Sequence, residues 1–334
     1  MLYRSILVLA SVTIGALAGP TQDVLSFSKP RPLVIWHGLG DSYASDGLVQ
    51  FQSYIAQMHP GIFIHSIYID QDVKEDQRAT YYGNVDDQVE QVAEQLKAVP
   101  ELSGGFDAMG FSQGGQFLRA YVERHNDPPI RNLITFGSQH MGIAGIPGCG
   151  PFDVLCQLAR KATRVGVYNG WVQQNIIQVL LPLLFLLCTP SFYPSAQAQY
   201  YRDPVQLQTY LAANHFLTSI NNELPATRNA TYAARLATLD ALVLVLFERD
   251  STVIPKESAW FGSYTPPSDS REGDEESLVS MREQPLYTED WIGLRALDER
   301  GRVVFASCDS EHMHLTAECW QPLVEKYVGS RKSS

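Results

Sequence analysis

The sequence predicts an α/β fold in which a mostly parallel β-sheet is flanked by helices. Helical periodicity is clearest over Val85–Leu96, where apolar residues recur at helix spacing and polar residues occupy the other faces. Strands that alternate with such helices are typical of a parallel sheet covered on both sides. The predicted strands are short β-branched or apolar runs bounded by turn residues: Leu33–Trp36, Ile62–Ile69, Phe106–Phe111, Leu133–Phe136, Ala241–Phe247 and Arg302–Ala306.

The length and composition of the chain fit one large domain with an insertion. Its 334 residues, 45% of them hydrophobic and 18% charged, can bury a large single core. We expect one domain over residues 19–334, with a helical insertion over 143–239, where the pattern changes to helix and loop. The formal net charge of −11 argues against a nucleic-acid partner, because such a partner needs a basic face.

The first 18 residues have the features of a secretory signal peptide. Arg4 precedes the apolar run Ile6–Leu17, and a small-x-small pattern ends at Ala18, after which we expect cleavage. The alternative, a retained membrane anchor, is disfavoured because the run is too short to span a bilayer and Pro20 follows it. In a secreted protein the sequon at Asn229 is expected to be glycosylated and on the surface.

The five cysteines fit the same route, because disulfides persist in the secretory pathway. Cys149 and Cys156 are near neighbours in a loop-like segment and form one predicted disulfide. Cys308 and Cys319 flank the C-terminal histidines and form the other, which leaves Cys188 as a free buried thiol. No CxxC motif or His/Cys cluster has the spacing of zinc ligands, so we expect no metal site.

A G-x-S-x-G motif carries the first sign of chemistry. Gly110-Phe111-Ser112-Gln113-Gly114 follows the predicted strand Phe106–Phe111 and precedes the helix-like stretch Gln116–Arg124. A serine on a tight turn between a strand and a helix has an exposed hydroxyl, and the glycines allow the chain to pass close by. This context predicts Ser112 as the nucleophile of an α/β-hydrolase fold.

The other members of a catalytic triad follow the serine in the chain order of that fold, first an acid and then a histidine. The strand Ala241–Phe247 leads to Asp250 at the edge of the sheet where ligands bind, with Glu248 as the competing acid. The segment after the last predicted strand contains two histidines, of which His312 is the preferred base and His314 the alternative.

An oxyanion hole requires two backbone N–H groups near the nucleophile. The turn directly after the first strand contains Leu39, and Gln113 follows the serine. We therefore predict that the N–H groups of Leu39 and Gln113 bind the oxyanion. His37, in the same turn, is expected to be a structural hydrogen-bonding residue rather than a second base.

The predicted insertion contains the nearly uninterrupted apolar run Ile176–Leu187. Pro182 interrupts it, and it is shorter than the roughly 20 residues of a transmembrane helix. It is either a core helix of the inserted cap or a face that lines an acyl groove or touches lipid, because a helix that is apolar all round must be buried. The groove candidates are Ile176, Leu180, Leu183 and Leu186.

Several longer segments resemble the palmitoyl-protein thioesterase family, in its lysosomal type 1 form. They are PLVIWHGLGDS at 32–42, AMGFSQGGQFLRA at 108–120, NLITFGSQHMGIAGIPGC at 132–149, SAWFG at 258–262 and LYTEDWIGLRALDERGRVVF at 286–305. The resemblance extends from about residue 31 to 328. It implies a triad of Ser112, Asp250 and His312 and an acyl groove formed with the inserted helices.

The chain departs from the family pattern at two places. Ser310-Glu311 stands before the histidine where the family usually has Gly-Asp, and residues 176–198 look like additional sequence. We expect a serine thioesterase, secreted or lysosomal or vacuolar, that removes palmitate-like groups from S-acylated proteins or peptides without a cofactor and with transient membrane contact. The alternatives are an oxygen-ester lipase and a non-catalytic lipid-binding protein.

Overall fold

A computed structural model of the protein describes residues 29–145, 199–265 and 277–329. Several predictions concern residues outside these ranges and stay predictions. They are the signal peptide over 1–18, the Cys149–Cys156 disulfide, the free thiol of Cys188, and the groove candidates Ile176, Leu180, Leu183 and Leu186. The insertion predicted over 143–239 is described only at its two ends.

The described strands form a six-stranded parallel sheet and a small antiparallel pair. In the large sheet the strand order is β2-β1-β3-β4-β5-β8, and the pair is β6-β7. The strands are β1 (Leu33–Trp36), β2 (Ile64–Ser66), β3 (Phe106–Phe111), β4 (Ile130–Phe136), β5 (Ala241–Phe247), β6 (Ser263–Tyr264), β7 (Leu278–Val279) and β8 (Val303–Cys308).

The predicted strands are all present, and their ends follow from the pairing. Strands β1, β3 and β5 have the predicted bounds. Strand β2 is shorter than predicted because β1, its one partner among the described strands, pairs with Ile64–Ser66 alone. Strand β8 continues to Cys308 because β5 extends far enough to pair with it. The ends of strands therefore depend on neighbours that the local sequence does not reveal.

The helices lie on both faces of the sheet. Within the described ranges the α-helices are α1 (Asp46–Met58), α2 (Val73–Ala79), α3 (Val85–Lys97), α4 (Gln113–Arg124), α5 (Leu207–Ala213), α6 (Phe216–Ile220), α7 (Ala230–Leu236), α8 (Pro285–Thr288), α9 (Leu294–Glu299) and α10 (Ala317–Tyr327). Short 3₁₀-helices span Pro100–Leu102, Pro225–Thr227, Lys256–Trp260 and Met281–Glu283. Among the described helices, none is both long and apolar enough to cross a bilayer.

Two apolar cores hold these layers together. On one face, α1 and α10 pack on alternate sheet residues such as Leu33 and Ile35. On the other face, α3 and α4 pack on residues of the opposite orientation, such as Val34 and Trp36. Side chains alternate between the faces of a strand, so a continuous apolar run supplies both cores. This two-sided burial confirms the predicted mostly parallel sheet flanked by helices.

Helix α3 illustrates how the sequence begins and buries a helix. The side chain of Asn84 accepts a hydrogen bond from the backbone N–H of Asp86, which satisfies one of the free donors at the helix start. The predicted apolar stripe is buried, with Val89 and Leu96 completely inaccessible to solvent. This helix packs against α4, the helix that begins at the nucleophile turn.

Candidate active site

Ser112 lies directly after β3, where it is the N-cap of α4. Its φ of 51° and ψ of −122° are rarely adopted by residues other than glycine. The backbone N–H of Ser112 donates to the carbonyl oxygen of Phe136 on β4, at 2.8 Å, which holds the turn against the sheet. The side chain of Ser112 lines a cavity at the carboxyl edge of the strands.

The two glycines of the motif are required by close packing around this turn. A Cβ at Gly110 would lie 2.2 Å from the Cα of Gly115. A Cβ at Gly114 would lie 2.4 Å from the carbonyl oxygen of Trp36, at the end of β1. Contacts this short do not occur between real atoms, so any larger residue would displace the strand or the helix and change the serine turn.

His312 connects Ser112 to Asp250. Its Nε2 is 3.1 Å from Ser112 Oγ, and its Nδ1 is 2.6 Å from Asp250 Oδ2. The Asp250 side chain is 2% exposed, whereas that of His312 is 13% exposed and reaches the cavity. A serine, a histidine and a buried carboxylate in this order can move a proton from the hydroxyl to the imidazole during attack on an acyl carbon.

The carboxylate of Asp250 is held by its own loop. Its Oδ1 accepts hydrogen bonds from the backbone N–H groups of Thr252 and Val253, at 2.8 and 2.9 Å. This leaves Oδ2 for the imidazole of His312. The carboxylate is therefore oriented before any substrate binds.

The two competing residues form other contacts. Glu248 is exposed, and its Oε1 accepts a hydrogen bond from Ser307 Oγ at 2.6 Å. His314 is also exposed; it lines the cavity, and its backbone oxygen accepts from Ser310 Oγ at 2.7 Å. The structure thus brings Asp250 and His312, rather than Glu248 and His314, to the nucleophile.

The loop that carries His312, here called the histidine loop, is joined to the loop of Asp250 and to α10. The backbone N–H of Arg249 donates to the oxygen of Ser310 at 3.0 Å, which joins the acid loop to the histidine loop. Ser310 is fully buried, and its hydroxyl donates to the backbone oxygen of His314, which closes the loop. The predicted disulfide between Cys308 and Cys319 is present, with a Cα–Cα distance of 5.2 Å, and joins the loop to α10.

The predicted oxyanion residues adjoin the serine. Leu39 lines the same cavity in the loop after β1, and a Cβ at Gly38 would lie 3.3 Å from Ser112 Cβ, so this loop passes close to the nucleophile. Gln113 is the first residue of α4, where backbone N–H groups have no partner within the helix. Their role as oxyanion donors stays a prediction.

Sequence reasoning missed the residue that supports this loop, which is Asp76 on α2. Asp76 Oδ2 lies 3.1 Å from His37 Nε2, and its carboxylate also accepts from the backbone N–H groups of Tyr43 and Ile69. Burial alone would raise the pKa of Asp76, but the hydrogen bond and charge of His37, together with the backbone donors, lower it. His37 has the structural role expected of it.

A buried polar cluster behind the site was also missed. Arg119 and Glu123 are paired at 2.9 Å with both side chains completely buried, and Arg119 also donates to the backbone oxygen of His140. The ring of His140 stacks on Phe261 with centroids 4.6 Å apart. Burial, with a smaller contribution from the Arg119 charge, lowers the pKa of His140, so this histidine is neutral. The cluster holds the loop after β4, which carries Gln139 to the cavity wall.

The cavity over Ser112 has a volume of about 640 Å³, within the usual range of small-molecule sites. Its polar lining residues besides Ser112 and His312 include Asp41, Gln50 and Gln139. Most of the remaining lining side chains are apolar: Leu39, Leu48, Phe51, Phe111, Ile143, Val253, Met313, Leu315 and Trp320. A nucleophile in an apolar cavity of this size suits an acyl substrate with a hydrocarbon chain.

Known proteins resemble the chain along most of its length. Residues 32–312 match a family model described as palmitoyl protein thioesterase. Palmitoyl-protein thioesterase 1 of Caenorhabditis elegans is 35% identical over 300 residues, which cover 90% of this chain and 92% of that protein. Palmitoyl-protein thioesterase 3 of Dictyostelium discoideum is 30% identical over 285 residues, covering 85% and 86%. Lysosomal thioesterase PPT2 of Homo sapiens is 26% identical over 305 residues, covering 90% and 86%.

The matched region includes the serine turn, the loop after β1, the acid loop and the histidine, which are the parts that meet at the cavity. The similarity therefore includes the described site as well as the sheet. From the family model and the extent of these matches, the chain belongs to the palmitoyl protein thioesterase family and is a serine hydrolase of the α/β-hydrolase fold.

Proposed function

We propose that the protein hydrolyses long-chain fatty acyl thioesters, such as palmitoyl thioesters, on cysteines of S-acylated proteins or peptides. Ser112 is the nucleophile, His312 the general base and acid, and Asp250 the residue that orients the imidazole. The observation that carries this proposal is the chain of two contacts, 3.1 Å from Ser112 Oγ to His312 Nε2 and 2.6 Å from His312 Nδ1 to Asp250 Oδ2.

The first half of the reaction transfers the acyl group. His312 Nε2 takes the hydroxyl proton while Ser112 Oγ bonds to the carbonyl carbon of the thioester. The tetrahedral intermediate collapses, the carbon–sulfur bond breaks, and the cysteine sulfur leaves with the proton from His312. The acyl group is then an ester on Ser112.

The second half releases the fatty acid. A water molecule gives a proton to His312 Nε2 and attacks the ester carbon, and collapse of the second intermediate returns that proton to Ser112 Oγ. Asp250 stabilises the imidazolium in both halves through the Nδ1 hydrogen bond. The backbone N–H groups of Leu39 and Gln113 stabilise the oxyanion in each intermediate.

The apolar cavity supports a hydrocarbon substrate, because each methylene group removed from water contributes about 0.8 kcal/mol. The acyl groove is proposed to continue along Ile176, Leu180, Leu183 and Leu186 of the insertion. Residues Ile143 and Tyr200, which precede and follow the groove candidates in the chain, line the cavity and support this direction.

The proposal is tested with S-palmitoyl-cysteine and O-palmitoyl-serine peptides of one sequence, with purified enzyme and its Ser112→Ala variant. We expect faster hydrolysis of the thioester by the wild type and labelling of the wild type alone by a fluorophosphonate probe. Faster hydrolysis of the oxygen ester would indicate a lipase. Labelling failure and inactivity on both esters would indicate a lipid-binding protein.

The protein is proposed to work in the secretory pathway, in a lysosome or vacuole or outside the cell, with an S-acylated protein as its partner and transient contact with a membrane. The relatives named lysosomal thioesterases support this location, as do the disulfide and the sequon. Asn229 is exposed in the structure, where a glycan can be attached. A mobility shift on glycosidase treatment, absent in Asn229→Gln, would test the glycosylation.

A further inference from the structure

The cavity over Ser112 is lined by residues of both apolar cores, and we divide its lining into two sets, called arms. The insertion arm is formed by Ile143, Tyr200 and Val253, which belong to the core on the α3 and α4 face. The aromatic arm is formed by Leu48, Phe51, Tyr54, Met313, Leu315 and Trp320, whose core residues pack on the α1 and α10 face. Ser112 and His312 belong to the wall of the same cavity.

The aromatic arm is a packed surface. The rings of Phe51 and Trp320 meet edge to face with centroids 4.9 Å apart, and Tyr54 stacks on Trp320 at 6.2 Å. The disulfide of Cys319 lies next to Trp320 in the chain and fixes the start of α10 to the end of β8. Tyr54 is 45% exposed, so this apolar surface is accessible from solvent.

The direction of proton transfer distinguishes the two arms. The cysteine sulfur must receive its proton from His312 Nε2, so the leaving group has to lie on the histidine side of the cavity. The residues that follow the histidine, Met313 and Leu315, line the aromatic arm. The acyl chain, in contrast, is proposed to lie along the insertion arm, since the groove candidates of the proposed function follow Ile143 and precede Tyr200 in the chain.

We propose that the aromatic arm binds the protein side of the thioester, by accepting an apolar side chain one or two positions from the acylated cysteine. This inference rests on the proposed thioesterase function. Successive Cα atoms are about 3.8 Å apart, so a neighbouring residue reaches the arm while the sulfur stays at His312. Asp41, Gln50 and His314, which are partly or fully exposed on the same cavity, provide polar groups for the peptide backbone.

The test compares two S-palmitoyl-cysteine peptides that differ only in the flanking residue, leucine in one and serine in the other. We expect the wild type to prefer the leucine peptide by about tenfold in kcat/KM, with most of the difference in KM, as for one or two methylene groups in an apolar pocket. Tyr54→Ala and Leu315→Ala should reduce the preference to about threefold or less.

Val49→Ala is the matched control. Val49 lies on α1 like Tyr54 and is 50% exposed, but it is not among the residues that line the cavity. The preference of the Val49→Ala variant for the leucine peptide should equal that of the wild type. Because Tyr54 is exposed on a helix, its replacement by alanine is expected to leave the fold unchanged, which circular dichroism would verify.

The same variants are measured on palmitoyl and butyryl thioesters of one peptide. If Tyr54→Ala and Leu315→Ala lose the preference for palmitoyl and keep the preference for leucine, the arm binds the acyl chain and the inference is wrong. Equal wild-type rates on the leucine and serine peptides would also overturn it and leave the proposed function intact. The proposed function itself fails if the wild type hydrolyses none of the thioesters or hydrolyses the matched oxygen ester faster.

Discussion

Gly137 lies directly against the imidazole of His312. A Cβ at Gly137 would come 3.1 Å from His312 Cε1 and 2.9 Å from a ring carbon of Phe247. Gly137 also has a φ of +56°, which an L side chain rarely adopts. The residue after β4 therefore limits how the histidine can sit, although it takes no part in the proton transfer.

Replacing Gly137 by alanine should lower kcat by at least about tenfold, because even a small displacement of the catalytic base from Ser112 slows proton transfer. The matched control is Gly301→Ala. Gly301 has a φ of +67°, and a Cβ there would meet nothing within 4 Å. Both variants carry the backbone strain, about 1–2 kcal/mol, but only the first displaces the imidazole. Equal activity of the two variants in a thioesterase assay would contradict this explanation.

Ser112→Ala should lower kcat by about 10⁴-fold or more, and His312→Ala should lower kcat almost as much. The unfolding temperature of Ser112→Ala should not fall, since alanine removes only a hydroxyl that faces the cavity. Steady-state rates of purified variants provide the measurement. Activity above a tenth of the wild-type value in either variant would rule out this triad.

Asp250→Asn should lower kcat by about 10⁴-fold, because the imidazole loses its orienting acceptor and its tautomer is no longer fixed. Glu248→Gln should have little effect, because Glu248 is exposed and bonded to Ser307 instead of His312. The two variants are compared under one assay condition. A larger loss in Glu248→Gln would show that the geometry assigns the wrong acid.

Peptide mapping without reduction should recover Cys308 joined to Cys319, and Cys149 joined to Cys156. Replacing Cys308 and Cys319 together by alanine should cost about 2–4 kcal/mol of unfolding free energy. The same variant should lose activity, because the disulfide anchors the His312 loop to α10. A disulfide that includes Cys188 would contradict the predicted pairing.

Glu123 should make the fold more stable at acidic than at neutral pH. Burial raises the pKa of Glu123 to about 7, although Arg119 opposes the rise. The folded state therefore binds a proton that the unfolded state releases from about pH 4.5, and this contribution to stability is lost as the pH rises through about 7.

In Glu123→Gln the difference in unfolding free energy between about pH 5 and pH 8 should be smaller than in the wild type, measured by urea denaturation. Arg119 keeps acceptors in the variant, because it also donates to Ile220, His140 and Asn221. An unchanged difference would mean that Glu123 keeps the same protonation state across this range.

Local sequence patterns were sufficient for the elements that place the nucleophile. The turn at Ser112 could be predicted because its glycines and the flanking strand and helix are neighbours in the chain. The same holds for the apolar stripe of α3 and for the buried run of β5. In each case the signal is a short-range period or a backbone requirement that a few consecutive residues express.

The remaining features depend on contacts between distant parts of the chain. His312 is 200 residues from Ser112 and 62 from Asp250, and only folding places its ring between them while leaving His314 exposed. Two buried contacts could not be predicted from local sequence patterns. They are the contact of Asp76 with His37 and the Arg119–Glu123 pair. Charged residues are usually exposed, and whether a particular one is buried depends on the elements that pack over it after the sheet has assembled.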